Sequence, residues 1–193
     1  MKKSLLSAVD LARCILPESA PMTLRKLQKI LYYAQAWSLV WEDVPLFKEE
    51  IVACACCGPM IVELQEYAIS QFAKLPPKKK GVYEVFNTHM DLCFHGIPHQ
   101  EQKLKKSQEK TVLAAYQTYN PHPTLFLEAL SKEEGPFKKA QLSSKEGQSS
   151  PVIALEWMKR YYSAVDQVRK SEAFLKEYGK EYQFILDAPA WEA

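Results

Sequence analysis

The chain has 193 residues, 47% of them hydrophobic and 25% charged, with a formal net charge of +2. This balance excludes a disordered chain, and the charge is too small to argue for nucleic acid as a partner. The length suits one domain with a sizeable core.

Of the five cysteines, three crowd together at Cys54, Cys56 and Cys57. Such a pattern does not read as a secreted disulfide framework. Met1–Lys3 is basic, but Ser4, Ser7, Asp10 and Arg13 interrupt the apolar run that a signal peptide needs. No unbroken apolar stretch reaches the roughly 18 residues of a membrane span. The expected setting is a reducing cytoplasm with free thiols.

Taken in order, Ser4–Leu16 reads as a first helix, with Leu5, Val9, Ala12 and Leu16 recurring at spacings of three and four. Pro17 ends it, and Pro17–Pro21 is a rigid connector. Thr23 is placed to cap the next helix, its hydroxyl accepting from a first-turn amide. From Ile30 to Trp41 only Gln35 and Ser38 are polar. A helix that is apolar all round is a buried one, so Thr23–Trp41 is expected to be the central helix on which the rest packs. Pro45 breaks it.

Leu46–Cys57 suits a short buried strand. Gly58-Pro59 is expected to start a third helix, Gly as cap and Pro in the first turn. That helix would run from Met60 to about Phe72, with Ile61, Leu64 and Ala68 inward and Glu63, Gln65 and Glu66 outward. Lys74–Gly81 is a basic, proline-broken loop, either a solvated connector or a contact for an acidic partner. Val82–Phe86 is a candidate strand. Glu101–Tyr119 reads as a long helix with Leu104, Gln108, Val112, Ala115 and Tyr119 on one stripe. Pro123–Leu130 is a short helix with Phe126, Leu127 and Leu130 inward. Glu134–Phe137 is read as a turn with an aromatic anchor, Gln141–Ser150 as a polar loop, and Ser150-Pro151 as the start of a helix through Val165. Ser171–Tyr178 would be one more. The fold class is therefore mainly α, a compact single domain around a buried central helix at about 23–41, with at most a few short strands.

Chemistry is sparse. There is no Gly-rich phosphate loop, no G-x-S-x-G and no H-E-x-x-H. The acidic pairs Glu49-Glu50 and Glu133-Glu134 are adjacent in sequence, point apart on a helix, and are read as solvated faces. Cys54-Ala55-Cys56-Cys57 lies upstream of Cys93-Phe94-His95. Thiolates and imidazoles bind zinc tetrahedrally, so Cys54, Cys56, Cys93 and His95 form a candidate metal set. Cysteine also packs as a small hydrophobe, and packed core cysteines are the preferred reading over a metal site or a redox thiol. A Cys57–His95 nucleophilic pair has no support from its spacing. No cofactor is expected.

The residue order goes further than the periodicity. Leu24-Arg25-Lys26-Leu27-Gln28-Lys29-Ile30-Leu31-Tyr32-Tyr33-Ala34-Gln35-Ala36-Trp37 closely resembles the signature helix of the Panacea domain family, the phage-associated, SocA-like antitoxin proteins, typically K-L-Q-K-L-L-Y-F-A-Q-A-W. Pro45–Ile51 resembles that family's P-L-F-x-E-x-I. Gly58-Pro59 followed by Glu63-Leu64 resembles its G-P-V-x-x-x-L, and Leu127–Ala140 its L-S-x-L-T-H-x-E-x-P-W-x-x-A. The likeness spans roughly Leu5–Val165, which gives a Panacea-like helical domain at 1–165 and a C-terminal helical extension and tail at 166–193. Two departures stand out. The family's A-W-x-Y/H before Gly-Pro is here Ala53-Cys54-Ala55-Cys56-Cys57, one residue longer, which implies a bulge or a shifted strand end. The family's His and Trp are Lys132 and Phe137.

The resemblance implies a binding protein rather than an enzyme: an antitoxin that neutralises a cognate toxin by direct contact. A second reading is an adaptor of the same fold, which delivers a protein to a protease subunit or acts on a host. A third is a metal-dependent enzyme on the Cys/His cluster. A homo-oligomer is compatible with all three. Leu27, Gln28, Tyr32, Gln35, Trp37, Gly58, Pro59, Pro136 and Phe137 would be the structural motif residues. Lys26, Lys29, Lys78, Lys79, Lys80, Tyr161 and Tyr162 are the candidate partner contacts.

Overall fold

The computed structural model describes residues 5–15, 22–73, 93–94, 104–144, 150–171 and 176. Among these, seven helices and four short strands occur. The helices are α1 (Ala8–Ile15), α2 (Leu24–Trp41), α3 (Val62–Ala73), α4 (Lys106–Tyr119), α5 (Thr124–Glu133), α6 (Gly135–Leu142) and α7 (Leu155–Arg169). The strands are β1 (Met22–Thr23), β2 (Val52–Cys54), β3 (Gly58–Met60) and β4 (Cys93–Phe94). The mainly helical expectation holds. No helix among the described residues is long and apolar enough to cross a membrane.

The central helix is α2, where fourteen of eighteen residues are buried. Thr23 caps it as expected, its Oγ1 accepting from the Lys26 amide at 3.2 Å. At the other end the Ser38 hydroxyl donates to the Val44 carbonyl at 2.7 Å, and Asp43 turns the chain at φ 57°. α4 and α7 pack most extensively on α2, and α5, β3 and α1 fill in around it. On α4 the expected stripe is the inward one, with Val112, Ala115 and Tyr119 buried.

Two glutamines one heptad apart fasten α2 to passing backbone. Gln28 donates to the Ile61 carbonyl at 3.1 Å and accepts from the Ile61 amide at 2.8 Å. Gln35 accepts from the Leu46 amide at 2.7 Å and donates to the Phe47 carbonyl at 3.3 Å. Each amide side chain mimics a strand partner and satisfies backbone groups that burial would otherwise orphan.

Several expectations need correction. Gly58-Pro59 does not open a helix. It begins β3, which pairs antiparallel with β2 in the register Val52↔Met60, Ala53↔Pro59, Cys54↔Gly58. Gly58 has φ +78°, a conformation open to glycine and costly for other residues. α3 starts two residues later than expected, at Val62. The Cys-rich insertion is the tight turn Ala55–Cys57 of this hairpin, not a bulge within a strand. Ser150-Pro151 does not start a helix either. Residues 150–154 run extended along the other edge of β2, with Ala53 donating to the Pro151 carbonyl and Ile153 to the Ile51 carbonyl, each at 2.7 Å. Glu134–Phe137 is not a turn but the N-terminus of α6, with proline in its first turn. Phe126 is 42% exposed rather than inward. α7 passes unbroken through position 165, and Asp166 and Arg169 are buried. The loop at 74–81, the candidate strand at 82–86 and nearly all of the Ser171–Tyr178 segment lie outside the described residues.

Candidate functional site

The interior between α2, α4, the α5–α6 junction and α7 is an aromatic cluster around one acid. Tyr33 stacks on Tyr119 at 3.8 Å between ring centroids, nearly parallel. Tyr162 meets Tyr32, Tyr33 and Trp37 edge-on at 6.1, 6.2 and 5.5 Å. Offset and edge-to-face contacts are the arrangements that aromatic quadrupoles favour. The Trp37 indole donates to the Tyr119 hydroxyl at 3.0 Å, and the Arg169 guanidinium lies over the Trp37 ring at 5.7 Å.

Glu134 points into this cluster, and the Tyr162 hydroxyl donates to its Oε2 at 2.5 Å. Burial pushes its carboxyl up from 4.5 to about 8, against the opposing pull of the Tyr162, Tyr33 and Tyr32 hydroxyls. The carboxyl is therefore protonated at neutral pH and able to donate as well as accept. Neither the Tyr32 nor the Tyr33 hydroxyl makes a hydrogen bond of good geometry, and both phenols are pushed well up by burial and by Glu134.

The acidic pair Glu133-Glu134 is thus not a solvated face. Glu133 is exposed and pairs with Lys138 at 2.6 Å, while Glu134 is 8% exposed. A signal for this existed. Glu134 stands in extended backbone between α5 and α6, but its spacing of seven from buried Leu127 and three from buried Ser131 continues the inward stripe of α5, and that of Glu133 does not. In the other pair, Glu49 accepts from the Ala8 amide at 2.8 Å and caps α1.

A second cluster lies where the first turns of α2 meet the β2–β3 hairpin. The Lys29 ammonium donates to the Pro59 carbonyl at 2.7 Å. Burial lowers its pKa to about 8, opposed by Cys57, Glu128 and Cys54, so it stays charged at neutral pH. Glu128 binds Arg25 at 3.3 Å and Lys132 at 2.9 Å, and Lys132 also donates to the Cys56 carbonyl at 3.0 Å. Beside these cations the sulfurs of Cys54, Cys56 and Cys57 lie within 4.8 Å of one another. Burial pushes the Cys57 thiol up, and hydrogen bonds from Cys57 and Cys56 outweigh burial to bring Cys54 down to about 7. Cys57 alone of the three is buried; Cys54 is half-buried and Cys56 exposed, which corrects the reading of all three as packed core.

The sequence-derived candidates separate accordingly. Leu27, Gln28, Tyr32, Gln35, Trp37, Gly58, Pro59, Pro136 and Phe137 are all buried. Lys29 and Tyr162, expected as partner contacts, are interior: Lys29 is held by the Pro59 carbonyl and Tyr162 by Glu134. Tyr161 is half-buried, its ring against Gly135, where an added Cβ would come within 2.8 Å. Lys26 remains at the surface of α2. It lies beside His122, whose pKa is lowered by burial and then by the Lys26 charge. The His122 ring lies 5.2 Å from that of Phe126, and neighbouring Leu125 is 71% exposed. Lys78, Lys79, Lys80 and His95 fall outside the described residues. Cys93 lies on β4, which pairs with β1 rather than with the cysteine hairpin.

Comparisons with protein-family models, curated proteins and solved structures return no match for this chain.

Proposed function

We propose that this chain is an antitoxin-like protein that neutralises a partner toxin by direct protein–protein contact. One observation carries the reading: matched residues of the signature helix, Gln28, Lys29 and Gln35, bind the second and third stretches that resemble the Panacea domain, and the fourth meets the same helix through Arg25 and Glu128, which lie outside the matched positions. Gln35 of the signature helix grips Leu46 and Phe47 of the second stretch. Gln28 grips Ile61, and Lys29 the Pro59 carbonyl, of the third. Arg25 pairs with Glu128 of the fourth. These contacts join the stretches into one folded unit, which supports the resemblance and, with it, the binding role that it implies.

On this reading the interior is scaffold and the partner meets the surface. Phe126 supplies the aromatic character that interface centres use, with Lys26 and exposed Leu125 beside it. The test is genetic. Expression of the neighbouring open reading frame alone should arrest growth, and co-expression of this chain should restore it. Lys26→Glu combined with Phe126→Asp should abolish rescue while changing stability by no more than about 0.5 kcal/mol, as surface substitutions do. An absence of toxicity, or of rescue by the unaltered chain, overturns the proposal.

The adaptor reading is favoured by one feature, the Ala55–Cys57 turn, which departs from the family pattern and exposes Cys56. Recovery of a protease subunit in place of a toxin by affinity purification would select it.

A further inference from the structure

We propose that Cys54, Cys56 and Cys57 form a three-thiolate site for a soft monovalent metal ion, with Cu(I) as the ion whose chemistry fits. Three sulfurs within 4.8 Å of one another are already at the spacing of a shared ion. A trigonal ion with metal–sulfur bonds of about 2.3 Å holds its ligands about 4 Å apart. Cys54 Sγ and Cys56 Sγ, now 3.0 Å apart, need only separate slightly by side-chain rotation.

The backbone beneath them is pinned on every side. Cys54 is paired with Gly58 across the hairpin. The amide of Ala53 is held by the Pro151 carbonyl, and its carbonyl by the Gln141 side chain. The Cys56 carbonyl is held by Lys132. Buried Cys57 forms the floor and exposed Cys56 the mouth, so an ion enters from solvent without any opening of the core. Sites held on ordered backbone lose little entropy on loading.

Charge selects the ion. Arg25, Lys29 and Lys132 gather around the single carboxylate Glu128, leaving two positive charges in excess. Three thiolates around Cu(I) carry two negative charges in excess, and each thiol releases its proton to solvent on binding. Soft thiolates take both zinc and Cu(I); structural zinc asks for four protein ligands, and the three found together among the described residues match trigonal Cu(I). This site differs from the set suggested by sequence spacing: it omits Cys93 and His95, and it takes Cys57 instead.

The experiment uses the full reduced chain without oxygen, titrated with Cu(I) in competition with the chromophoric chelator bathocuproine disulfonate. The expected result is one Cu(I) retained per chain, with three sulfur neighbours by X-ray absorption. Cys56→Ser, at an exposed position, should keep the circular dichroism of the parent and weaken retention by roughly 100-fold or more, beyond the 10–100-fold typical of losing an outer-shell partner. Cys93→Ser should retain Cu(I) as tightly as the parent. Cys57→Ser adds a further test where it folds. Failure to retain Cu(I), retention unchanged by Cys56→Ser, loss with Cys93→Ser, or two sulfur neighbours instead of three each overturns the assignment.

Discussion

Glu134 and Lys29 are both buried ionisable groups, and both are shifted to about 8, one from below and one from above. They nevertheless reach opposite states at neutral pH. Glu134 sits among Tyr32, Tyr33, Tyr119 and Tyr162, where burial outweighs the hydrogen bonds that favour ionisation, and it keeps its proton. Lys29 sits at the foot of the β2–β3 hairpin, with a carbonyl, Glu128 and two thiols nearby, and it keeps its charge. Burial is the largest cause of both shifts, and each group holds its proton at neutral pH; that proton neutralises the carboxyl and charges the amine. The aromatic region is accordingly a neutral, packed interior, and the hairpin region a charged junction between interior and solvent.

The comparison can be broken most severely in the aromatic region. Tyr162→Ala removes a ring packed on Tyr32, Tyr33 and Trp37 and should cost about 3–5 kcal/mol in urea unfolding. Tyr161→Ala, at a half-buried ring, should cost less than half as much; equal losses would show that Tyr162 is not interior. Gln28→Ala strands the buried amide of Ile61, whose carbonyl keeps the Gln65 amide as donor, and should cost about 1–3 kcal/mol.

Glu134→Gln sharpens the contrast in charge state. The folded carboxyl holds its proton up to about pH 8, whereas in the unfolded chain it ionises near 4.5. Its contribution is therefore complete below pH 4.5 and lost as pH rises toward 8, with a slope of about 1.4 kcal/mol per pH unit. The glutamine variant lacks that slope, so the stability difference between parent and variant should change steadily across this window. Parallel pH profiles would mean that Glu134 is ionised in the fold. The smallest effect belongs to the hairpin: Gly58→Ala at φ +78°, facing Ser131 Oγ at 3.2 Å, should cost about 1–2 kcal/mol by thermal unfolding. No loss there would mean that the hairpin turn relaxes freely.

Much of the scaffold was legible because α2 is apolar on all sides, and a helix of that kind has one place to go. The Thr23 cap and the inward stripe of α4 followed from residue type and spacing. Gly58-Pro59 misled because glycine and proline serve equally to start a helix and to shape a hairpin, and only the pairing with β2 separates the two. Lys29 and Tyr162 misled for another reason. Polar groups are assigned to the surface by default, and the partners that let them be buried lie thirty residues away in one case and twenty-eight in the other. The acidic pair at 133–134 was half legible, since helical spacing from Leu127 already singled out the second member.

The sequence by itself determined the helical class and the central helix, because these depend on local order and periodicity. Tertiary structure alone decided which charges are buried, that Glu134 is neutral and Lys29 charged, and that the sulfurs of three cysteines of one hairpin gather beside Lys29 and Lys132. Those properties arise from contacts between distant segments, and a pKa or a ligand set belongs to the surroundings that folding assembles.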